Sequence, residues 1–287
     1  MLTLNCKGKI ITLESPLIMG IINATPDSFY TKDTGNLVKA LALADKMISD
    51  GADIIDIGGQ STRPGSFRIT AQEESARVLP VVKAIHDKYP HTIISIDTYY
   101  ASVALAATEA GASIINDISG GSMDSQMIPA VASLGVPYIC MHIKGTPETM
   151  HHDPTYKDIL DEVLRFFIAK TNECIKAGIH DVIIDPGFGF GKTIAHNLTI
   201  LKNLSIFKML EKPILAGISR KGTIYKTLGI SPEEALNGTT VLNTLAIANG
   251  ADILRVHDVK EAKEIITLMQ AYKKAAPEKE SGNKSSF

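Results

Sequence analysis

The sequence predicts a single (β/α)8 barrel with a short N-terminal β-hairpin, and three observations support that prediction. Short apolar, β-branched runs recur eight times, longer helical patterns lie between them, and almost every run ends in polar residues. At 287 residues, the chain also fits the ~250 residues of such a barrel plus extensions. A doubly wound open sheet is the rival arrangement, but it lacks eight units of such regularity.

Taken in order, residues 2–6 and 10–13, joined through Lys7-Gly8-Lys9, read as a hairpin that covers the barrel's bottom. The strand runs are Leu17–Asn23, 53–58, 92–97, 113–117, 136–142, 181–185, 213–219 and 252–257. Continuous Ile/Val/Leu runs without alternation suit parallel strands buried on both faces. Amphipathic segments between them include 37–49, Ala71–Lys88, 103–109, 157–176 and 235–248. The helix after strand seven has start signals in Ser231, Pro232 and Glu234, read as N-cap, first position and capping box. Gly250 stands where a left-handed C-cap is wanted. Residues 1–276, with the hairpin inside 1–14, thus form one barrel domain, and the polar stretch 277–287 reads as a disordered tail.

Composition excludes several function classes. The 29 basic and 31 acidic residues nearly cancel, leaving no electrostatic footprint for nucleic acid or an anionic membrane. The N-terminus lacks a basic-then-apolar signal pattern, and no apolar run approaches the roughly 18 residues of a span. Cys6, Cys140 and Cys174 are odd in number and show no metal-ligand spacing, which fits a reducing, cytoplasmic compartment. The expected partner is a small molecule.

The polar strand ends carry the functional reading. They are Asn23, the run Gly58 to Arg63, Asp97, Asn116-Asp117, His142, Asp185, Ser219-Arg220-Lys221, and Arg255 with His257. In a barrel all converge on the C-terminal face, where active sites of this fold lie. One polar strand end is a common helix or turn cap. Eight together imply a ligand, because buried charge is costly unless paired or engaged. Asp97, Asn116 and Asp185 offer acceptors and an amide to an edge rich in N–H donors, such as an aminopyrimidinone, and Lys221 can donate to a ring carbonyl. Arg255, Arg63, His257 and Asn23 supply a second, cationic and polar group suited to phosphate. A metal cage is the competing reading, without supporting ligand spacing.

The segment Asp185-Pro186-Gly187-Phe188-Gly189-Phe190-Gly191-Lys192-Thr193 imitates a phosphate-binding loop. Its spacing fails: the Walker pattern needs glycine where Pro186 stands, and the dinucleotide pattern needs one where Lys192 stands. Its glycines instead let backbone approach a flat ligand, with Phe190 as a wall. Ile118 and Met141, near strand ends, are candidates to sandwich a planar ring.

Seven motifs in chain order now resemble those of the dihydropteroate synthases. They are Asn23-Ala24-Thr25-Pro26-Asp27-Ser28-Phe29, the run from Asp56 to Gly65, Ser95-Ile96-Asp97-Thr98, Asn116-Asp117-Ile118, Asp185-Pro186-Gly187, Ser219-Arg220-Lys221-Gly222 and Arg255-Val256-His257-Asp258. The resemblance implies that Asp97, Asn116, Asp185 and Lys221 hold a dihydropterin, with Ile118 and Met141 against it and Arg255 across its face. It implies that Asn23 binds a magnesium ion carried on the diphosphate, and that Arg63, Arg255 and His257 contact that leaving group. Thr62, Pro64, Gly189, Phe190 and Lys221 would line the para-aminobenzoate site, whose carboxylate would sit at the helix start after Lys221. It also implies a homodimer through helices near the C-terminus, with which the apolar residues of 242–248 are compatible.

The implied reaction expels diphosphate from the pterin methylene, and the neutral arylamine attacks that carbon. No nucleophilic side chain is needed, and no Ser/His/Asp arrangement is present. The segments 24–36 and 59–70 are long for βα loops and are expected to act as lids that order on diphosphate and magnesium. Two positions depart from the family: Tyr30 to Gly35 replaces its usual Ser-Asp-Gly-Gly, and Gly222 stands where many members carry serine. Competing readings are a pterin-binding methyltransferase barrel, a Schiff-base aldolase using Lys221, and a non-catalytic pterin-binding paralogue. The first would not need the Arg63, Arg255 and His257 group or the Ser219-Arg220-Lys221 motif, Arg220 and the Asp-rich pocket are not distinctive for the second, and Asn23, Arg255 and His257 argue against the third.

Overall fold

The computed structural model describes residues 2–25, 34–61, 68–150 and 154–275. The antiparallel pair β1 (Thr3–Cys6) and β2 (Lys9–Thr12) comes first, its turn made by Lys7 and Gly8 in left-handed backbone. The barrel strands are β3 (Leu17–Asn23), β4 (Ile54–Gly58), β5 (Ile93–Asp97), β6 (Ile114–Asp117), β7 (Tyr138–Met141), β8 (Val182–Asp185), β9 (Leu215–Ala216) and β10 (Ile253–Val256). They pair in parallel in the order β8-β7-β6-β5-β4-β3-β10-β9, and a parallel bridge between Ile184 and Ile214 closes the ring. The helices are α1 (Thr34–Ser49), α2 (Ala71–Lys88), α3 (Ala101–Glu109), α4 (Met127–Leu134), α5 (Ile159–Ala177), α6 (Ile194–Lys202), α7 (Gly222–Leu228), α8 (Leu236–Ala248) and α9 (Val259–Lys274).

Strand β9 is far shorter than the run 213–219 suggests. Pro213 has no N–H to donate and Gly217 offers no side chain to pack, so regular pairing survives only between them. The ring therefore closes through one bridge and the Ile184 N–H donated to the Pro213 carbonyl at 2.9 Å.

The barrel interior is layered. Met19, Ile54, Ile93, Ile114, Ile139, Ile183, Leu215 and Ile253, one from each strand, form an apolar floor with Leu4 and Cys6 of the hairpin beneath. The hairpin thus seals the bottom, as the sequence suggests. Side chains alternate along a strand. Two residues above the floor the same faces therefore carry Ile21, Asp56, Ser95, Asn116, Met141, Asp185, Gly217 and Arg255. The floor is apolar and the storey above it is largely polar.

Helix ends follow local chemistry in most places. Thr70 and Glu73 form a reciprocal capping box at α2, and Asp158 accepts from the Leu160 and Asp161 N–H groups at α5. At α8 the expected start is displaced. Glu234 does accept the Ser231 N–H at 3.0 Å, but the bond closes a turn, and the helix begins at Leu236. The Pro232 and Glu233 carbonyls are instead taken by the Arg220 guanidinium. Gly250 (φ 104°) ends α8 in left-handed backbone, as expected.

Candidate active site

Register assembles the upper storey. Asn23 lies beside Gly58, Gly58 beside Asp97, Asp97 beside Asn116, and Met141 beside Asp185. Neighbours in a parallel register point to one face. Residues 162 positions apart in the chain, from Asn23 to Asp185, thus line one lumen.

Arg255 organises its centre. Its Nε donates to Asp56 Oδ2 at 2.6 Å and its Nη2 to Asp97 Oδ2 at 2.5 Å. The Asn116 amide donates to the same Asp56 oxygen at 3.1 Å, which leaves the Asn116 carbonyl oxygen as the ligand-facing acceptor. Burial opposes the charge on Arg255, yet Asp56 and Asp97 hold it more basic than a free arginine. Burial raises the Asp97 carboxyl above the usual carboxylate range, and Arg255 pulls against that rise. Asp56 is fully buried, and its Oδ1 has no hydrogen-bond partner among the described residues. In the sequence Asp56 is marked by its period-two step above Ile54 and by opening the motif that runs to Gly65, and neither signal identifies it as the anchor of Arg255.

Opposite this cluster, Asp185 Oδ1 accepts the Gly187 N–H at 2.8 Å. Burial raises the Asp185 carboxyl, with Lys221 opposing. Lys221 donates to the Phe188 carbonyl at 2.7 Å and sits 4.6 Å above the Phe190 ring. Burial lowers its pKa to about 8, against the pull of Asp185. Gly189 lies in left-handed backbone (φ 85°), which a side chain there would strain, and Lys221 Cδ lies at ordinary contact distance, 3.4 Å from where a Cβ would stand. Ile118, Met141 and Phe190 join Tyr99 and Met150 in one buried apolar cluster at the rim, a surface suited to a planar ring.

On the far side, the Ser219 hydroxyl accepts the His257 backbone N–H at 3.3 Å and contacts His257 Nδ1 at 2.9 Å. With the hydroxyl proton directed to Nδ1, the imidazole proton would stand on Nε2. Desolvation at the rim, then Arg255, lowers the His257 pKa to about 4, so the ring is neutral at pH 7 with its outer edge exposed. Asn23 is half-buried, and its side-chain amide is unengaged among the described residues. Thr62, Arg63 and Pro64 lie outside the described residues, as do parts of the two long loops, His151 and His152, and the tail 277–287.

Three polar strand-end residues do not join the site. Asp117 turns away, accepting from the Ser119 and Gly121 N–H groups and from the Tyr138 hydroxyl. Arg220 forms a two-pronged pair with Asp258 at 2.8 and 2.9 Å. His142 is buried beside Lys192, whose Nζ also meets the carbonyls of His142, Gly187 and Phe190. The Gly-Lys pair of the false phosphate loop is accordingly internal. Glu74 escaped the sequence reading altogether. It is buried under the segment after β4, accepts from Thr98 Oγ1 at 2.6 Å, and has its pKa raised to about 7 by burial.

Known proteins share this arrangement. A family model for pterin binding enzymes matches residues 19–257. The chain is 42% identical over 268 residues to the dihydropteroate synthase of Escherichia coli, covering 92% of this chain and 94% of that protein. The Yersinia pestis dihydropteroate synthase, solved with a sulfonamide drug complex, superposes with a TM-score of 0.91 at 40% identity, over 96% of this chain and 100% of that one. The Xanthomonas albilineans dihydropteroate synthase in complex with 7,8-dihydropteroate gives 0.86 at 36% identity, over 96% of this chain and 100% of that one.

Proposed function

The chain belongs to the family of pterin-binding enzymes, and from that membership we propose how its lumen performs dihydropteroate synthesis. The reaction condenses 6-hydroxymethyl-7,8-dihydropterin diphosphate with 4-aminobenzoate to give 7,8-dihydropteroate and diphosphate, a group transfer of folate biosynthesis. The observation that carries the assignment of roles is the convergence of Asp97, Asn116, Asp185 and Lys221 in one lumen.

In this proposal the pterin lies flat between Met141 with Ile118 and the Arg255 side, edge-on to the acceptors. The two Asp185 oxygens accept paired ring and amino N–H groups, Oδ1 also keeping the Gly187 N–H, and the Asn116 carbonyl and Asp97 accept along the opposite edge. Lys221 exchanges the Phe188 carbonyl for the ring carbonyl. The Arg255 guanidinium and the Nε2–H of neutral His257 face the departing diphosphate, together with Arg63, and stabilise the charge that develops there. The arylamine enters over Phe190, Gly189, Thr62 and Pro64, and its carboxylate meets the N–H groups of α7, which no side chain caps. Sulfonamides, bound by the Yersinia relative, would occupy this same space.

Magnesium fits the donor set. Among the described residues no three His, Cys, Asp or Glu side chains group as a metal cage. Magnesium bound mainly through substrate phosphate and water needs few protein ligands, and the unengaged Asn23 amide oxygen supplies one. When bound, it would neutralise charge on the leaving diphosphate. A cytoplasmic setting is supported by three free cysteines, all buried. No helix among the described residues is long and apolar enough to cross a membrane. A homodimer is proposed through α6, α7 and α8, which expose Leu198, Leu228, Val241 and Leu245; a sedimentation coefficient for a monomer at micromolar concentration would exclude it.

The reaction itself is tested by incubating the chain with the pterin diphosphate, 4-aminobenzoate and magnesium and measuring diphosphate release. Release that requires the arylamine is expected. Binding without turnover would leave only a pterin-binding protein.

A further inference from the structure

Lys192 is nine-tenths buried, with 8% of its surface exposed. Its Nζ meets four acceptors: His142 Nδ1 at 2.9 Å, the His142 carbonyl at 3.1 Å, and the Gly187 and Phe190 carbonyls at 3.0 Å each. An ammonium brings three protons to such a ring of acceptors, whereas a neutral amine would turn its lone pair toward one of them. His142 completes the match. Burial, then Lys192, lowers its pKa to about 2, so the ring is neutral and its Nδ1 can accept from Lys192; burial also lowers the Lys192 pKa to about 7, with Asp185 opposing.

The four acceptors belong to two separate segments, one after β7 and one after β8. These segments touch backbone to backbone. A Cβ on Gly187 (φ 69°) would lie 2.0 Å from the His142 carbonyl oxygen, and one on Gly191 (φ 64°) would lie 2.5 Å from that of Lys144. With no room for side chains between them, the Lys192 ammonium ties the converging carbonyls, alongside the His142 N–H donated to the Asp185 carbonyl at 2.9 Å and the Tyr156 hydroxyl donated to the Gly191 carbonyl at 2.7 Å. The second segment in turn serves the site at three points. The Gly187 N–H orients Asp185, the Phe188 carbonyl receives Lys221, and the Phe190 ring underlies Lys221.

We propose that Lys192 is a positioning residue, an internal ammonium clip that fixes the segment after β8 against the segment after β7 and so presents Asp185, Phe190 and Lys221 to both substrates. This deepens the reading of the site given above and rests on it. Without the clip three buried carbonyls lose a charged donor, and the segment carrying the walls of both substrate subsites is released.

The test uses the full chain with Lys192→Met and Lys192→Ala, each checked for folding by circular dichroism and thermal melting. Folded Lys192→Met should raise the KM for both substrates by about tenfold or more, one lost charge-assisted hydrogen bond's worth, while kcat falls less. n-Propylammonium should restore Lys192→Ala several-fold, and sodium or tetramethylammonium at equal ionic strength should not. Wild-type KM values in folded Lys192→Met, or equal rescue by every salt, would overturn the proposal. If neither variant folds, His142→Phe keeps the edge-on ring contact with Phe166 and removes one acceptor. It should raise KM roughly three- to tenfold, and unchanged values again overturn the clip. Wild type run alongside separates the two ideas: an inactive wild type refutes the reaction, and an active one with indifferent variants refutes Lys192.

Discussion

Asp56→Asn isolates what Arg255 needs. The substitution keeps shape but removes charge from a fully buried carboxylate that accepts from Arg255 Nε at 2.6 Å and from Asn116 Nδ2 at 3.1 Å through one oxygen. The new carbonyl can take the place of that oxygen. Its amide then occupies the buried Oδ1 position, where the wild-type atom makes no hydrogen bond among the described residues. The Asn116 bond becomes a neutral one, roughly 1 kcal/mol lost, the Arg255 bond keeps its charged donor, and a buried donor is stranded at about 1–3 kcal/mol. Arg255 retains Asp97, so the full 3–5 kcal/mol of a broken buried pair is not expected. A destabilisation of about 2–4 kcal/mol corresponds to a melting temperature lower by roughly 4–8 °C in a chain of this size. Asp97 is then the one carboxylate paired with Arg255, and calorimetric titration with a dihydropterin should show affinity weakened about tenfold. A variant that melts within 1 or 2 °C of wild type, by the same conversion, and binds pterin normally would refute the account of Asp56 as the anchor.

Three further outcomes are expected. Gly222→Ser should be accommodated, because a Cβ there meets only Lys226 and Tyr225 side chains at 3.6 Å or more; the restored hydroxyl should lower the KM for 4-aminobenzoate by a few-fold, and a raised KM would contradict this. Tyr138→Phe removes a 2.7 Å bond to Asp117 and should lower the melting temperature by roughly 3–5 °C while kcat and both KM values stay unchanged; altered kinetics would return Asp117 to the site. Glu74 is raised by burial from 4.5 to about 7, so the folded chain binds its proton more tightly than the unfolded one. Its contribution to stability is therefore full below pH 4.5 and lost as pH rises through about 7. Melting curves should show Glu74→Gln gaining on wild type from pH 5 to 8, and parallel curves would show that Glu74 does not titrate there.

Much of this architecture was legible because parallel strands buried on both faces leave an unbroken apolar trace, and because register turns strand ends into a single rim. The floor from Met19 to Ile253 and the polar storey above it follow from counting in twos along each run. Legibility failed where tertiary partners decide. Whether Asp117 faces the lumen depends on the Tyr138 hydroxyl and two N–H groups in the next turn, and nothing local separates it from Asp185. Arg255 carries one charge in the sequence but spends it on two buried aspartates within the lumen before any phosphate arrives. Ser231 had the right neighbours for a cap, yet Arg220 claims the carbonyls of that turn and the helix starts later. Lys192 read as half of a failed motif because its acceptors are backbone atoms, which composition does not encode.

The narrow join between β8 and β9 has a consequence for how occupancy is felt through the molecule. Asp185 stands on one bank of that join and Lys221 on the other. A flat guest gripped by both would act as a rivet across the least-stitched part of the wall. Protection of the Ile184 amide against deuterium should then rise on pterin binding more than at any better-paired junction, so the wall is completed in part by what it encloses.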